Sequence, residues 1–145
     1  MAEGYFMVAV GAIIENSTTE KILLIKRTNK ADFSPGIWED ITGRMKQFEE
    51  PEDALHREVY EETGIKDFEV VKPLRVNHLF RGEKTAEKEL IMIIYWVKTG
   101  SKEITLSGEH KYYKWLSPAK ALELTDHPGV REDIKAFIRE RGSSK

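Results

Sequence analysis

Apolar and polar positions along the chain change their spacing several times, and each change predicts a different element. Tyr5–Ile14 and Lys21–Lys26 are rich in β-branched and apolar residues and flank a polar turn, so they predict a hairpin or two neighbouring strands. Residues 29–42 lack either period and carry Asp, Ser, Pro and Gly, which predicts a loop with a short strand near its end. Three later strands are predicted at Phe68–Phe80, Leu90–Val97 and Tyr112–Leu116, with residues 81–89 as a hairpin loop.

The helical spacing is strongest from Pro51 to Thr63. Proline at the first helical position and Gly64 just beyond the last one are typical of a helix start and stop. Leu55 and Val59, four residues apart, supply its buried stripe. A short helix is predicted from Ser117-Pro118, and an amphipathic one over Gly129–Arg141.

This mixture of strands and interspersed helices predicts an α/β sandwich. The 145 residues suffice for one domain with its own core, which we place at residues 1–141, followed by a flexible tail at residues 142–145.

Composition excludes several classes of function. There is no cysteine, so a disulfide framework, a thiolate metal site and a cysteine nucleophile are ruled out. A net charge of −2 gives no basic surface for a nucleic-acid polymer, although a small phosphorylated ligand stays open. No segment reaches the roughly 18 apolar residues of a membrane span, and no basic, apolar leader begins the chain. We therefore expect a cytoplasmic protein that does not enter a membrane.

Three carboxylates crowd one face of the predicted helix. At 100° per residue, Glu61 and Glu62 lie to either side of Glu58, so all three project together. An exposed acidic face costs only a few tenths of a kcal/mol per like-charged pair and is one interpretation. The other is a platform for Mg²⁺, which prefers carboxylate and phosphate oxygens.

The spacing around these carboxylates is more specific than their charge. Gly43 is followed after five residues by Glu49, and after seven more by a run that contains Arg57-Glu58, Val59, Glu61-Glu62 and Gly64-Ile65. This pattern matches every position of the Nudix box, and the chain resembles the Nudix hydrolase family.

The resemblance implies an α/β/α sandwich with a central mixed sheet. It also implies hydrolysis of a nucleoside diphosphate linked to another moiety, with Mg²⁺, or Mn²⁺ as an alternative. The implied metal ligands are the carbonyl of Gly43 and the carboxylates of Glu58, Glu61 and Glu62. Arg57 is implied to pair with Glu49 and orient the acidic ridge.

Two residues outside the box extend this site. Glu109 resembles a family position with a further carboxylate that binds metal or acts as general base; a plain loop acid is the alternative. Arg27, at the end of a predicted strand, resembles a phosphate-contacting position; a solvated arginine is equally open. We expect His110 to be exposed or packed rather than a ligand. Trp38, Phe33 and Phe80 could stack on a base, but core positions are commoner for aromatics.

The chain departs from the family pattern at two turns. Ile41-Thr42 stands where Pro-Gly is common, and Phe48 stands where glycine is common. Without glycine a positive φ is harder to reach, so we expect the loop to take another path or to shape the pocket differently. The substrate within the family therefore stays open.

The leading hypothesis is attack of water on phosphorus, with Glu58 or Glu109 as the base. The cleaved bond would be a phosphoanhydride in a nucleoside triphosphate, a nucleotide sugar or a related compound. The alternative is a nucleotide-sensing module without turnover. Isopentenyl-diphosphate isomerases share the fold, but resemblance to them would require a catalytic cysteine. Dimers are common in the family, but no residue pattern here marks an interface, so a homodimer stays open.

Overall fold

A computed structural model describes residues 3–28 and 36–143. Its centre is one mixed sheet of seven strands in the order β3-β2-β1-β6-β5, with β4 also paired to β1 and β7 to β2. β1 and β6 run parallel, and the other pairs are antiparallel. The strands are β1 Met7–Asn16, β2 Ile22–Arg27, β3 Trp38–Glu39, β4 Ile41–Arg44, β5 Glu69–Phe80, β6 Glu89–Thr99 and β7 His110–Leu116.

The predicted strands are all present, with ends shifted by a few residues. β1 and β2 form the expected antiparallel hairpin, closed by the hydrogen bond from the Asn16 amide to the Lys21 carbonyl (2.8 Å). The end of the predicted loop holds two short strands, β3 and β4, rather than one. Residues 29–35 of that loop, with Phe33, lie outside the described residues.

Three helices cover the two faces of the sheet: α1 Pro51–Thr63, α2 Pro118–Leu124 and α3 Pro128–Ser143. Alternate residues of β1 point to opposite faces. Val10 and Ala12 pack with Leu55 of α1, whereas Ile13 packs with Phe137 of α3. These two cores make the fold an α/β/α sandwich with a central mixed sheet, as predicted.

Both predicted limits of α1 are confirmed. Pro51 occupies the first turn, and Gly64 ends the helix with φ 77°, a left-handed conformation that favours glycine. The Gly64 amide donates to the Tyr60 carbonyl at 2.8 Å, and Ala54, Leu55 and Val59 are buried. The two helix ends and the buried residues therefore fix which side of α1 packs on the sheet, and with it the positions of its acidic residues.

The C-terminal helix is longer than predicted. Residues 142 and 143, which we assigned to a flexible tail, continue α3, and only 144–145 lie outside the described residues. Arg141 anchors this last turn through its Nε, 2.6 Å from Glu15, and its Nη2, 2.8 Å from Glu20. In the part of the chain that the structure describes, no helix combines the length and apolarity needed to cross a membrane.

Candidate active site

Glu58 lies directly over Gly43 of β4. A Cβ at residue 43 would overlap the Glu58 carboxyl group, so only glycine leaves room for this contact. Glu58 is buried, and burial raises the pKa of its carboxyl despite the adjacent Arg57 guanidinium. The Gly43 backbone and the Glu58 carboxylate therefore approach each other closely.

Arg57 gathers the neighbouring carboxylates. Its Nε and Nη2 lie 2.7 and 2.9 Å from the two carboxylate oxygens of Glu49, the predicted pair in two-point geometry. Its Nη1 lies 2.7 Å from Glu58 and 3.3 Å from Glu61, and Nη2 also donates to the Arg44 carbonyl. The hydrogen bond from Arg57 lowers the pKa of Glu49 to about 2. Arg57 thus ties the start of the box loop to α1.

Glu62 is held by residues far away in sequence. His110 of β7 places Nδ1 2.9 Å from the Glu62 carboxylate and Nε2 2.9 Å from Glu39 of β3. The contact between His110 Nδ1 and Glu62 is an ion pair whose angles are not those of a well-aligned hydrogen bond. Glu62 also accepts a hydrogen bond of 2.8 Å from the Ser107 hydroxyl. Burial disfavours the charged imidazole, but the bonds to Glu39 and Glu62 outweigh it and raise the pKa of His110 to about 9. Burial likewise opposes ionisation of Glu62, yet the bonds from His110 and Ser107 lower its pKa.

Arg27 connects this bridge to Glu109. Its Nη1 lies 3.2 Å from Glu39 and its Nη2 3.7 Å from Glu109. The Arg27 side chain is mostly buried, whereas Glu109 is 63% exposed. A largely buried cation and an exposed acid therefore lie side by side at this site.

One cavity of about 260 Å³ collects most of the predicted residues. Arg27, Gly43, Glu58, Glu62 and Glu109 all line it. Two predicted residues lie beside it instead: the Glu61 side chain is 51% exposed, and Arg57 lines a neighbouring groove. The spacing of 100° per residue predicted that all three carboxylates project together. In α1, Glu58 and Glu62 line the cavity, whereas the Glu61 side chain is half-exposed outside it.

The donor chemistry of this cavity fits a magnesium ion. Its acids offer only oxygen ligands, and the Gly43 backbone is open to close approach. Within residues 3–28 and 36–143, no three His, Asp or Glu side chains meet as a metal-ligand group. The reason is local: Glu58 and Glu61 bond to Arg57, and Glu62 bonds to His110. A metal ion at this site would have to compete with these cations for the carboxylates.

Phe48 has a left-handed backbone conformation although it is not glycine. Its φ is 68°, and its side chain is 99% exposed. A positive φ is therefore reached here without glycine, and the expectation that the loop takes another path or shapes the pocket differently stays a prediction. The bond from the Lys46 amide to Glu49 (2.8 Å) and the pair between Glu49 and Arg57 hold the turn in place without glycine.

Sequence reasoning missed His110 and Glu39. We expected His110 to be exposed or packed, and it is packed, but between two carboxylates at the wall of the cavity. The only sequence signal was its position beside Glu109 in a short polar segment before a strand. Glu39 carried no signal, because its partners come from β2 and β7.

The chain matches the family model described as NUDIX domain over residues 5–137. It is 33% identical over 134 residues to an asymmetrical bis(5'-nucleosyl)-tetraphosphatase of Rattus norvegicus, covering 88% of this chain and 81% of that protein. It is 29% identical to a CTP pyrophosphohydrolase of Escherichia coli K12, covering 92% of this chain and 93% of that one.

A solved structure and one longer protein are also similar to this chain. The crystal structure of a MutT protein from Methanosarcina mazei Go1 superposes with a TM-score of 0.78 at 26% identity, over 97% of this chain and 99% of that one. An octanoyltransferase of Myxococcus xanthus is 25% identical over 88% of this chain, but the chain spans only 35% of that protein's length.

Proposed function

The chain belongs to the Nudix family and is a Nudix pyrophosphohydrolase, and we propose that it uses a divalent cation to cleave a phosphoanhydride bond. The substrate class is a nucleoside diphosphate linked to another moiety, such as a nucleoside triphosphate or a nucleotide sugar. One observation carries the proposal: a single cavity brings together Arg27, Gly43, Glu58, Glu62 and Glu109.

The cation in this proposal is Mg²⁺, with Mn²⁺ as an alternative. Its ligands would be the Gly43 carbonyl and the carboxylates of Glu58, Glu61, Glu62 and Glu109. When bound, such an ion neutralises phosphate oxygens and makes a coordinated water more acidic. Glu61 lies outside the cavity and is bonded to Arg57. Its exposed side chain would have to rotate away from Arg57 to reach the cation.

The protein side chains supply the remaining chemistry. Glu58 or Glu109 takes the proton of the attacking water: Glu58 has a pKa raised by burial, and Glu109 is exposed beside Arg27. Arg27 binds a substrate phosphate through a guanidinium that now faces Glu39 and Glu109. Arg57 and Glu49 act through position, because their two-point pair fixes the loop that leads into α1.

A panel assay tests this function. The protein would be incubated with Mg²⁺ and nucleoside triphosphates, dinucleoside polyphosphates, nucleotide sugars and ADP-ribose, and the products identified. We expect cleavage of at least one class and a loss of roughly 100-fold or more in kcat for Glu62→Gln. Glutamine can still accept the Ser107 hydrogen bond that holds Glu62 in place.

Glu52→Gln is the matched control, because Glu52 is an exposed acid on the same helix. It should retain wild-type turnover. Unchanged turnover in Glu62→Gln would contradict the proposed metal role. Tight nucleotide binding without any product would instead favour a sensing module, the alternative function.

A further inference from the structure

The groove that Arg57 lines has a volume of about 690 Å³ and lies between the start of β1 and the segment that joins β4 to α1. We call it the loop groove. Its lining consists of residues 6–8, 44–49 and 57–58. Arg44 and Glu58 line both the loop groove and the catalytic cavity, so the two spaces adjoin at these residues. A groove of this volume is large enough for a small-molecule ligand, and the reaction proposed above gives it no role.

Phe48 lines the loop groove, and the fold alone does not account for its side chain. It is the third residue of a turn that the hydrogen bond from the Glu49 amide to the Lys46 carbonyl closes at 3.2 Å. A φ of 68° at this position favours glycine or asparagine. The side chain is 99% exposed and therefore adds nothing to the core. Strained residues cluster at ligand-binding sites, so a ligand explains a phenylalanine here better than packing does.

A second aromatic ring lines the same groove. Phe6 directly precedes β1 and is 51% exposed. The side chains of Met7, Val8 and Met45 supply further apolar lining, and all three residues are half-buried. Exposed rings beside thioether and methyl groups form a surface on which a flat aromatic ligand can stack. The loop groove therefore suits a ligand with an aromatic ring.

Arg44 supplies a positive charge where the two spaces adjoin. Its Nη1 donates to the Met7 Sδ at 3.5 Å, and a thioether is a weak acceptor. Among the residues that the structure describes, the Arg44 guanidinium forms no ion pair with a carboxylate. Arg57, by contrast, is already bonded to Glu49 and Glu58. Arg44 therefore keeps N–H donors for a phosphate that passes from the catalytic cavity into the loop groove.

We propose that the loop groove binds a second nucleoside of the substrate, with its base stacked on the Phe48 ring and its phosphate chain bound by Arg44. This inference rests on the proposed function and identifies the second moiety of the substrate, which makes the preferred class a dinucleoside polyphosphate. A sugar presents no aromatic face, and the terminal phosphates of a nucleoside triphosphate carry no ring. Neither would gain from an exposed phenylalanine at this position.

Two substrates with the same phosphate chain test the proposal on the wild-type protein. Diadenosine tetraphosphate carries adenosine at both ends of four phosphates, whereas adenosine 5′-tetraphosphate carries it at one end. With Mg²⁺, we expect kcat/KM to be about 10-fold or more higher for the dinucleotide, because stacking of one base on an aromatic side chain has an effect of this order. A ratio near one, or a preference for adenosine tetraphosphate, would overturn the proposal.

Phe48→Leu separates stacking from general apolar contact. Leucine keeps apolar bulk at the same exposed position but has no ring, so the ratio should fall to near one through a higher KM for the dinucleotide. Phe48→Tyr keeps the ring and should keep the wild-type ratio. Tyr60→Leu is the matched control, because Tyr60 is a 50% exposed aromatic residue of α1 outside the groove lining. A wild-type ratio in folded Phe48→Leu would contradict stacking on residue 48.

Failure of the proposed function is separable from failure of this inference. If neither tetraphosphate is cleaved, calorimetric binding of the two compounds takes the place of turnover. Tighter binding of the dinucleotide by wild type and Phe48→Tyr, but not by Phe48→Leu, supports the second nucleoside site even then, whereas equal affinities overturn it. A ratio near one together with self-association that Phe48→Leu abolishes in sedimentation would assign the exposed rings to a contact between copies of the chain, and the proposal would be wrong.

Discussion

At the scale of single residues, side chains with the same formal charge occupy different environments. Glu58 is buried over Gly43, Glu62 is held by His110 and Ser107, and Glu61 is half-exposed. The pKa of Glu58 is raised and that of Glu62 lowered, because hydrogen bonds to the charged form outweigh burial only at Glu62. The three carboxylates of the proposed metal site therefore differ in burial and in their hydrogen-bond partners.

Phe48 gives a prediction for a single residue. A left-handed φ of 68° costs a non-glycine residue roughly 1 kcal/mol, and its exposed ring gains little from burial. Phe48→Gly relieves this strain but also adds freedom to the unfolded chain, so the free energy of unfolding and the melting temperature should stay within about 0.5 kcal/mol and about 2 °C of the wild-type values. Urea and thermal unfolding measure both.

Gln47→Gly is the control for this substitution. Gln47 is an exposed neighbour in the same turn, and its φ is not positive. Glycine there only adds freedom to the unfolded chain, so stability should fall by about 0.5–1 kcal/mol. If Phe48→Gly is destabilised as much as Gln47→Gly, the strain argument at residue 48 is wrong.

At the scale of elements, His110 joins three of them. It belongs to β7 and lies between Glu39 of β3 and Glu62 of α1. Arg57 performs a similar task at the other end of the site, where it ties α1 to the preceding loop. Two cations therefore help to hold α1 in place, and the imidazole is the one whose pKa, about 9, lies within reach of a stability measurement.

This bridge gives the stability of the protein a predictable pH dependence. The folded pKa of His110, about 9, lies above its unfolded value, near 6.5. The stabilisation is thus complete below about pH 6.5 and is lost as the pH rises through 9. It amounts to at most about 3 kcal/mol. Urea unfolding measured between pH 6 and 10 should show that the midpoint urea concentration decreases as the pH rises from about 6.5 to 9.

Substitution of the imidazole checks the assignment. His110→Gln should have a lower free energy of unfolding than the wild type at pH 6. Between pH 6.5 and 9 its free energy of unfolding should change much less than that of the wild type. His56→Gln, at an exposed histidine on α1, should retain the wild-type decline. An equally steep decline in His110→Gln would assign the titration to another group.

At the scale of the whole molecule, sequence reasoning was most successful where signals are local. Pro51 and Gly64 marked both ends of α1, and the box spacing identified the acids on it. What it missed arises from long-range contacts. His110 meets Glu39 across 71 residues, and Asp40 meets Asp133 of α3, because the sheet order brings these segments together. No local pattern in a chain encodes such meetings.

The central claim is that the α1 carboxylates hold the divalent cation used for hydrolysis. Electron paramagnetic resonance of free Mn²⁺, titrated with protein, tests it most directly, because it requires no substrate. We predict that wild type and Glu52→Gln deplete the free Mn²⁺ signal alike, and that Glu58→Gln and Glu62→Gln each weaken binding by about 10-fold or more. Equal Mn²⁺ affinity in all four proteins would contradict the account.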